Sequence, residues 1–530
     1  MECDEPIEVT PGMQLNWKTD AGQSPLQHMV HAEVRLTRSS IASRESVCQA
    51  VEAFLRARSG PCNLPSHLES VDFAESTAVK IAFMQENVAS INLSTEDSDC
   101  PISCESACQT TCLETAPLMY HVYRLVHGDE ADPTHETLEV ANEVIRGGTR
   151  WALPSTSFDG LWDSLVYDST VKRDLLKYSE SALLFADYQV SQHVIAWNRV
   201  IFLHGPPGTG KTSLCRALAH KLSIRLSHRF TSAALIEINT VNLMSKWFSE
   251  SARLVSQMFT SIFEYLEDPD HLVFILVDEV ESLTAVRKSV ASSCEPSDAL
   301  RVVNAVLTHL DQLKHYSNVM VMATSNVTGV VDPAFLDRAD IRAYIGPPSA
   351  VAIYSIYSSC LNELIRVGLI ERQKSGLLSY RVLSALQFVG SSVTAPSLLV
   401  WQLAQRSVGL NGRTLRKLPL LAYAFHLDTT KYSTSIPLLW SGAVNGTCGD
   451  KENRSAPHPA VGSNRKRFST PAVPLDVFIE ALRKAVDSRF SDQNLIAQST
   501  DESVDGKREK AAVPVSGVLS TTSSVNVHLP

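Results

Sequence analysis

The residues best equipped for chemistry stand together in Gly205-Pro206-Pro207-Gly208-Thr209-Gly210-Lys211-Thr212. Glycines at these intervals let backbone N–H groups curl toward one centre, an arrangement that phosphate oxygens accept. Lys211 would then reach the β- and γ-phosphates of ATP, and the Thr212 hydroxyl would ligate Mg2+. Downstream, the apolar run Val273-Phe274-Ile275-Leu276-Val277 delivers two carboxylates, Asp278 and Glu279. Asp278 would hold the metal through water, and Glu279 would polarise an attacking water as general base. Alone, either acid reads as a helix cap or a solvated surface group. As a pair closing a buried strand behind a phosphate loop, they point to hydrolysis.

Three more polar residues fall in step. Asn326 ends Thr324-Ser325-Asn326 after the run 319–323, where its amide would orient the lytic water; read by itself it is a turn residue. Arg338, inside Asp332-Pro333-Ala334-Phe335-Leu336-Asp337-Arg338-Ala339-Asp340, is similar to the arginine finger that stabilises transition-state charge on a neighbouring subunit's nucleotide. Its plainer reading is an ion pair with Asp337 or Asp340. Arg413, in Gly409-Leu410-Asn411-Gly412-Arg413, is similar to a lid-domain arginine that senses the γ-phosphate, or is a surface charge.

These groups meet only if the intervening chain folds as a layered sheet. The phosphate loop follows a short apolar run at 200–203 and precedes a helical run at 213–221, the context such a loop requires. Further apolar runs at 224–226, 235–238, 273–277 and 319–323 alternate with amphipathic helices, one of which carries Leu300, Val303, Leu307 and Leu310 on a single face. That alternation predicts a parallel α/β sheet covered on both sides, over a large ATPase domain at 151–346. Gly346-Pro347-Pro348 breaks the pattern, and 347–490 reads as a small helical lid. Within it, 427–473 is rich in Ser, Thr, Pro, Gly and Asn and is expected to be a disordered insertion.

Upstream, Val30, Ala32, Val34 and Leu36 alternate with polar residues as in a half-buried strand, and Val47, Val51, Phe54 and Leu55 share one helix face. With a further strand at 118–126 they predict a small α+β domain at 26–128. The acidic segment that follows reads as a linker, 129–150, while 1–25 and 491–530 are expected to be disordered.

A chain of 530 residues suits about two to four domains. With 57 acidic against 47 basic residues and a net charge of −10, it lacks the basic excess that coats phosphate backbones, so direct nucleic-acid binding is not expected. No apolar run approaches the roughly 20 residues that cross a bilayer, and the start Met-Glu-Cys-Asp-Glu-Pro is too polar for a secretory signal; an intracellular protein without membrane contact is expected. Cys100, Cys104, Cys108 and Cys112 recur every four residues. That spacing matches no zinc pattern, and Pro101 with the surrounding Ser and Thr favours a surface loop.

In their order and placement, the loop, acid pair, asparagine and two arginines identify an AAA+ P-loop ATPase. Several strings narrow this to a resemblance to the pachytene checkpoint protein 2 family of AAA+ ATPases. They are Phe158-Asp159-Gly160-Leu161-Trp162-Asp163-Ser164-Leu165-Val166-Tyr167-Asp168, Ser245-Lys246-Trp247-Phe248-Ser249-Glu250-Ser251, Asp278-Glu279-Val280-Glu281-Ser282-Leu283-Thr284, Glu295-Pro296-Ser297-Asp298-Ala299 and Tyr344-Ile345-Gly346-Pro347-Pro348. The resemblance implies a homohexamer that threads the N-terminal segment of HORMA-domain proteins through its pore, turning a closed conformer into an open one. It implies ATP and Mg2+ as cofactors and a pore loop of Lys246, Trp247 and Phe248. It also implies a HORMA-type adaptor on the N-terminal domain, and nuclear and cytoplasmic work in meiotic axis control and the spindle assembly checkpoint. Two adjacent rings at a helix start cannot share one core, which favours an exposed gripping ring over packing on the same domain. The polar loop 288–298 would form a second pore tier. The cysteine loop and the 427–473 insertion depart from the family pattern. The competing readings are a nucleic-acid-directed AAA+ ATPase of clamp-loader or initiator type, and a non-catalytic nucleotide-gated scaffold.

Overall fold

The computed structural model describes residues 29–58, 61–69, 73, 81–95, 110–127, 133–140, 143–238, 251–282, 297–327, 331–373, 376–427 and 472–509. Lys246, Trp247 and Phe248 lie outside them, as do Cys100, Cys104 and Cys108, the segment 1–25, most of the loop 288–298 and nearly all of the insertion 427–473.

The N-terminal part is built from β1 (Val30–Leu36), α1 (Arg44–Arg56), β2 (Pro61–Asn63), β3 (Ser66–Glu69), α2 (Ile81–Asn87), β4 (Val88–Thr95), β5 (Thr110–Cys112) and β6 (Leu118–Tyr123). Its sheet runs β3-β4-β1-β6, with β1 antiparallel to β4 and parallel to β6. Ser43 starts α1 by accepting the Ser46 N–H, and Val47, Val51, Phe54 and Leu55 then pack onto the sheet. The alternation in β1 predicts one wet face, but both faces are buried. Val30, Ala32 and Val34 point into the local core, while His31 and Glu33 are covered as well.

The central sheet adds β7 (Thr134–Val140), β8 (Glu143–Leu153), β9 (Val200–His204), β10 (Ser232–Ile238), β11 (His271–Val277), β12 (Val319–Ser325) and β13 (Ile341–Tyr344). Among the described residues its order is β13-β9-β12-β11-β10-β8-β7, and the strands from β13 to β10 are mutually parallel. The segment 129–150 is therefore not a plain linker. Its strands form an antiparallel hairpin, and β8 pairs with β10 from Gly148 to Leu153. Docking on that edge satisfies backbone groups that the last parallel strand would otherwise leave open.

The helices are α3 (Leu161–Ser164), α4 (Val171–Asp187), α5 (Lys211–Arg225), α6 (Ser251–Leu266), α7 (Ser297–Leu313), α8 (Pro333–Leu336), α9 (Ala350–Arg366), α10 (Tyr380–Ala385), α11 (Ala395–Arg406), α12 (Gly412–His426) and α13 (Leu475–Glu509). One face of the sheet packs on α6 and α7 through Phe259, Ile262, Val306 and Leu310; the other packs on α4 and α5 through Leu175, Leu183, Leu214 and Leu218. The expected strand at 224–226 is instead the end of α5 and its C-cap, Leu226. Leu214, Leu218 and Leu222 carry helical spacing up to it with no turn residue between, and Ile224 packs against Tyr123 and Leu125 of the N-terminal part. The lid closes around Tyr354, Tyr357, Leu415, Phe478 and Leu482. Its last helix runs to Glu509, well into the stretch 491–530 expected to be disordered. Among the described residues no helix is long and apolar enough to cross a membrane.

Candidate functional site

The phosphate loop leaves the C-terminal end of β9, which lies between β12 and the edge strand β13, at the strand ends where parallel α/β folds place ligands. Gly205, Gly208 and Gly210 have φ of +144°, +79° and +96°, and two of them are also sterically committed. A Cβ on Gly205 would lie 2.2 Å from the Ile345 carbonyl oxygen, and one on Gly208 would lie 2.8 Å from the Asn411 amide nitrogen. The loop is thus pressed between the sheet and the lid, and side chains there would fill the cradle. The Thr209 hydroxyl donates to the Pro206 carbonyl at 3.0 Å, tying the turn to itself.

Lys211 opens α5, so its ammonium lies where the helix N-terminus already favours anions. Its Nζ donates to the Gly205 and Pro206 carbonyls at 2.9 Å each. Of the three ammonium protons, two are spent holding the loop and one is left to reach a phosphate oxygen. Burial holds the Lys211 ammonium below its ordinary pKa, opposed by the nearby Glu281 and Asp278 carboxylates.

Next along α5, the Thr212 hydroxyl donates to Asp278 Oδ1 at 2.9 Å, and the Thr324 hydroxyl donates to the same oxygen. A hydroxyl and a carboxylate held side by side beneath a phosphate loop form the hard oxygen pair that Mg2+ takes alongside phosphates and water. The residues therefore fit that ion. Among the described residues no cluster of three or more His, Cys, Asp or Glu could hold a metal by protein ligands alone.

Glu279 has a left-handed backbone, φ +55°, just past the end of β11. That conformation is costly for a non-glycine residue, and its N–H donates to the Thr324 hydroxyl at 3.3 Å. The Asn326 side-chain amide donates to Glu279 Oε1 at 3.1 Å, while the Asn326 N–H donates to Glu281 at 3.0 Å. Glu281 thus fixes the asparagine that orients Glu279.

The cavity bounded by these groups measures about 500 Å3 and also takes in Tyr167, Ile356, Arg413, Arg416 and Lys417. Arg413 arrives from the lid, its N–H bonded to the Gly208 carbonyl at 3.1 Å. Asn411 caps α12 by accepting the Thr414 N–H at 2.9 Å and donates to the Pro207 carbonyl at 3.3 Å, so one side chain joins lid and phosphate loop. Tyr167 donates to the Gly210 carbonyl at 3.2 Å and, with Leu165 and Val166, supplies an apolar wall. The roles of Tyr167, Asn411 and Arg416 are missed by the sequence reading, although both strings that contain the first two drew attention.

Arg338 stands apart from this cavity. Its guanidinium grips Asp311 with two hydrogen bonds, of 3.0 and 2.6 Å, and donates to the Ala334 carbonyl. These bonds from Arg338, with burial working against them, hold the Asp311 carboxyl below its ordinary range. The ion pair is neither with Asp337 nor with Asp340. Asp340 instead accepts from the Tyr178 hydroxyl at 2.7 Å and from the Asn198 and Val200 N–H groups.

Comparison with known proteins agrees with the architecture. Residues 201–347 match the ATPase family associated with various cellular activities, 349–438 match the TRIP13-like AAA+ ATPase lid C-terminal domain, and 25–128 match the TRIP13 N-terminal domain. The pachytene checkpoint protein 2 homolog of Sus scrofa is 46% identical over 401 residues, 75% of this chain and 88% of that one. The Gallus gallus homolog is 45% identical over 402 residues, 76% of this chain and 88% of that one. A solved structure of C. elegans PCH-2 superposes with a TM-score of 0.62 at 28% identity, covering 88% of this chain and 100% of the other.

Proposed function

The chain belongs to the pachytene checkpoint protein 2 family of AAA+ ATPases, and from that premise we propose that it hydrolyses ATP at the cleft of Lys211, Asp278 and Glu279 to open HORMA-domain proteins by threading. The observation that carries the catalytic part is the convergence of Thr212, Asp278, Glu279, Asn326 and Arg413 on one cavity from three strand ends and the lid.

In this reading the Gly205–Thr212 loop and the N-terminus of α5 bind the triphosphate, and Lys211 adds charge at the β- and γ-phosphates. Thr212 and Asp278 would hold Mg2+, which when bound supplies charge neutralisation between those phosphates. Glu279 removes the proton from the attacking water, with its carboxylate aimed by the Asn326 amide at 3.1 Å. Arg413 and Arg416 face the cavity from the lid, so lid closure and charge stabilisation go together. Arg338 is assigned to a neighbouring subunit's cleft in a homohexamer, and its Asp311 partner keeps the guanidinium oriented until then.

Lys246, Trp247 and Phe248 take the role of gripping the polypeptide, and a HORMA-type adaptor would present substrate to the N-terminal part. Nuclear and cytoplasmic sites of action follow from the same family. The decisive experiment combines two variants. Glu279→Gln should keep ATP, assemble hexamers and retain a HORMA substrate without turnover. Trp247→Ala should keep basal ATP hydrolysis and lose conversion of the closed substrate. Normal conversion by Trp247→Ala would remove the threading mechanism. ATPase stimulation by DNA and not by protein would favour the nucleic-acid-directed reading.

A further inference from the structure

At the opposite end of the strands from the nucleotide cleft, where β9 and β12 begin, a second cavity of about 710 Å3 is lined by Asp187, Gln192, Trp197, Arg199, Arg229 and Lys314 among others. Arg199 is 2% exposed and carries a left-handed backbone, φ +60°. Its Nη2 donates to the Leu313 and Lys314 carbonyls at 3.4 and 2.9 Å, yet its Nε is buried without an acceptor among the described residues. Asp340 does not complete the pairing, because its oxygens serve Tyr178 and two backbone N–H groups. Burial lowers the Arg199 pKa to about 10, with the nearby Tyr178 and Asp340 only partly offsetting it, so the guanidinium is incompletely answered.

Two further donors in the wall share this condition. Trp197 Nε1 and one Nη of Arg229 are buried without acceptors among the described residues. The Arg199 guanidinium lies 4.8 Å from the Trp197 ring centre, and Arg229 pairs with Asp187 through its other Nη. Lys314 brings another cation, itself 3.0 Å from Asp311. Buried donors with no acceptor among the described residues, and three cationic side chains against the one carboxylate of Asp187 in the described lining, suit a multi-oxygen anion.

We propose that this cavity is a second anion site, separate from the nucleotide cleft, that binds a phosphate group. Its size falls within the roughly 300–1,000 Å3 of small-molecule pockets and leaves room for an organic body beyond the phosphate. Two sources share this chemistry: inorganic phosphate, including that released by hydrolysis, and a small phosphomonoester.

Calorimetric titration of the full chain, with ADP saturating the nucleotide cleft, tests the assignment. Inorganic phosphate, glycerol 3-phosphate and glycerol are added in separate arms. The expected result is saturable binding of one phosphate compound per chain, none of glycerol, and affinity weakened roughly tenfold or more by Arg229→Gln and by Arg199→Gln. Equal binding of the two phosphates assigns inorganic phosphate; tighter glycerol 3-phosphate assigns the ester. Arg413→Ala, which trims the nucleotide cleft alone, should leave the binding unchanged. If Arg199→Gln does not fold, Arg229→Gln decides, since its side chain is partly exposed. No saturable heat from either phosphate, or binding untouched by Arg229→Gln, would overturn the proposal.

Discussion

Helix α5 has basic residues at both ends, and the two ends are built on opposite plans. At its start Lys211 stands over an open cavity and is held by two loop carbonyls, with no carboxylate hydrogen-bonded to it among the described residues. At its end Lys221 and Arg225 reach Glu33 of β1 at 2.7 and 2.8 Å, with all three side chains nearly or fully covered. The first end holds its cation ready for a partner that comes and goes. The second neutralises its cations permanently and so fastens the N-terminal part to the motor. Around that triad, His31 and His121 stack with a 3.0 Å contact between ring nitrogens, and Arg44 donates to the Ser227 carbonyl at 2.7 Å.

If the ends differ in this way, variants of the cavity under the first and of the triad at the second should fail differently. Glu279→Gln should lower the turnover number by on the order of 10^2- to 10^4-fold in a phosphate-release assay, while the denaturation midpoint stays put. Glu33→Ala should do the reverse. It strands two buried cations and should cost about 3–5 kcal/mol by denaturant titration, with ATP affinity of the folded fraction retained. Replacing Glu33, Lys221 and Arg225 together by apolar residues of similar size should recover most of that loss. A stable Glu33→Ala protein would show that the junction is wetter than its geometry implies.

Acid should also act on the second end first. Burial, with Arg225 nearby, pushes His31 from 6.5 to about 3, and burial likewise pushes His121 to about 4. Both are neutral when folded, so below pH 6.5 the unfolded chain takes up protons that the folded chain refuses, and stability falls with pH down to those values. Lys221 and Arg225 outweigh burial in lowering Glu33 from 4.5 to about 2, so its contribution is intact above 4.5 and fades toward 2. The denaturation midpoint should therefore decline from just below pH 6.5, and His31→Gln should flatten that decline. The smallest effect is expected at the lid hinge: Asn411→Ala removes a helix cap and the link to Pro207, about 1 kcal/mol, seen as a lower lid melting temperature.

The two ends also differ in how far they can be read from sequence. The phosphate loop and acid pair are legible because their chemistry is local: closely spaced glycines at 205, 208 and 210 and one strand end define them. The place of Asn326 beside the lytic water follows from motif order, although its hydrogen bond to Glu279 and the supporting role of Glu281 do not. By contrast Glu33 looks like an outward residue of an alternating strand, Lys221 like the solvated end of the helical run 213–221, and Arg225 falls in the apolar run 224–226 expected as a strand. Only tertiary packing brings the three together, across nearly 200 residues of chain. The same limit explains Arg338, whose sequence neighbours Asp337 and Asp340 seemed its natural partners while Asp311, on α7, takes the bond. The hairpin β7–β8 was hidden in a different way, because edge strands dilute the apolar runs that announce a central strand.

That hairpin bears on how load passes through the molecule. The chain departs at Val126 and returns beside the same residue, whose N–H meets the Pro154 carbonyl at 2.8 Å and whose carbonyl meets the Thr156 N–H. The excursion between is a closed detour with its two mouths clasped. A tug on the N-terminal part is thus carried by this clasp, by the Glu33 anchorage and by the Arg44–Ser227 and Arg35–Asp159 contacts together, so that the part behaves as a bracket bolted at several points and not as a weight on a leash.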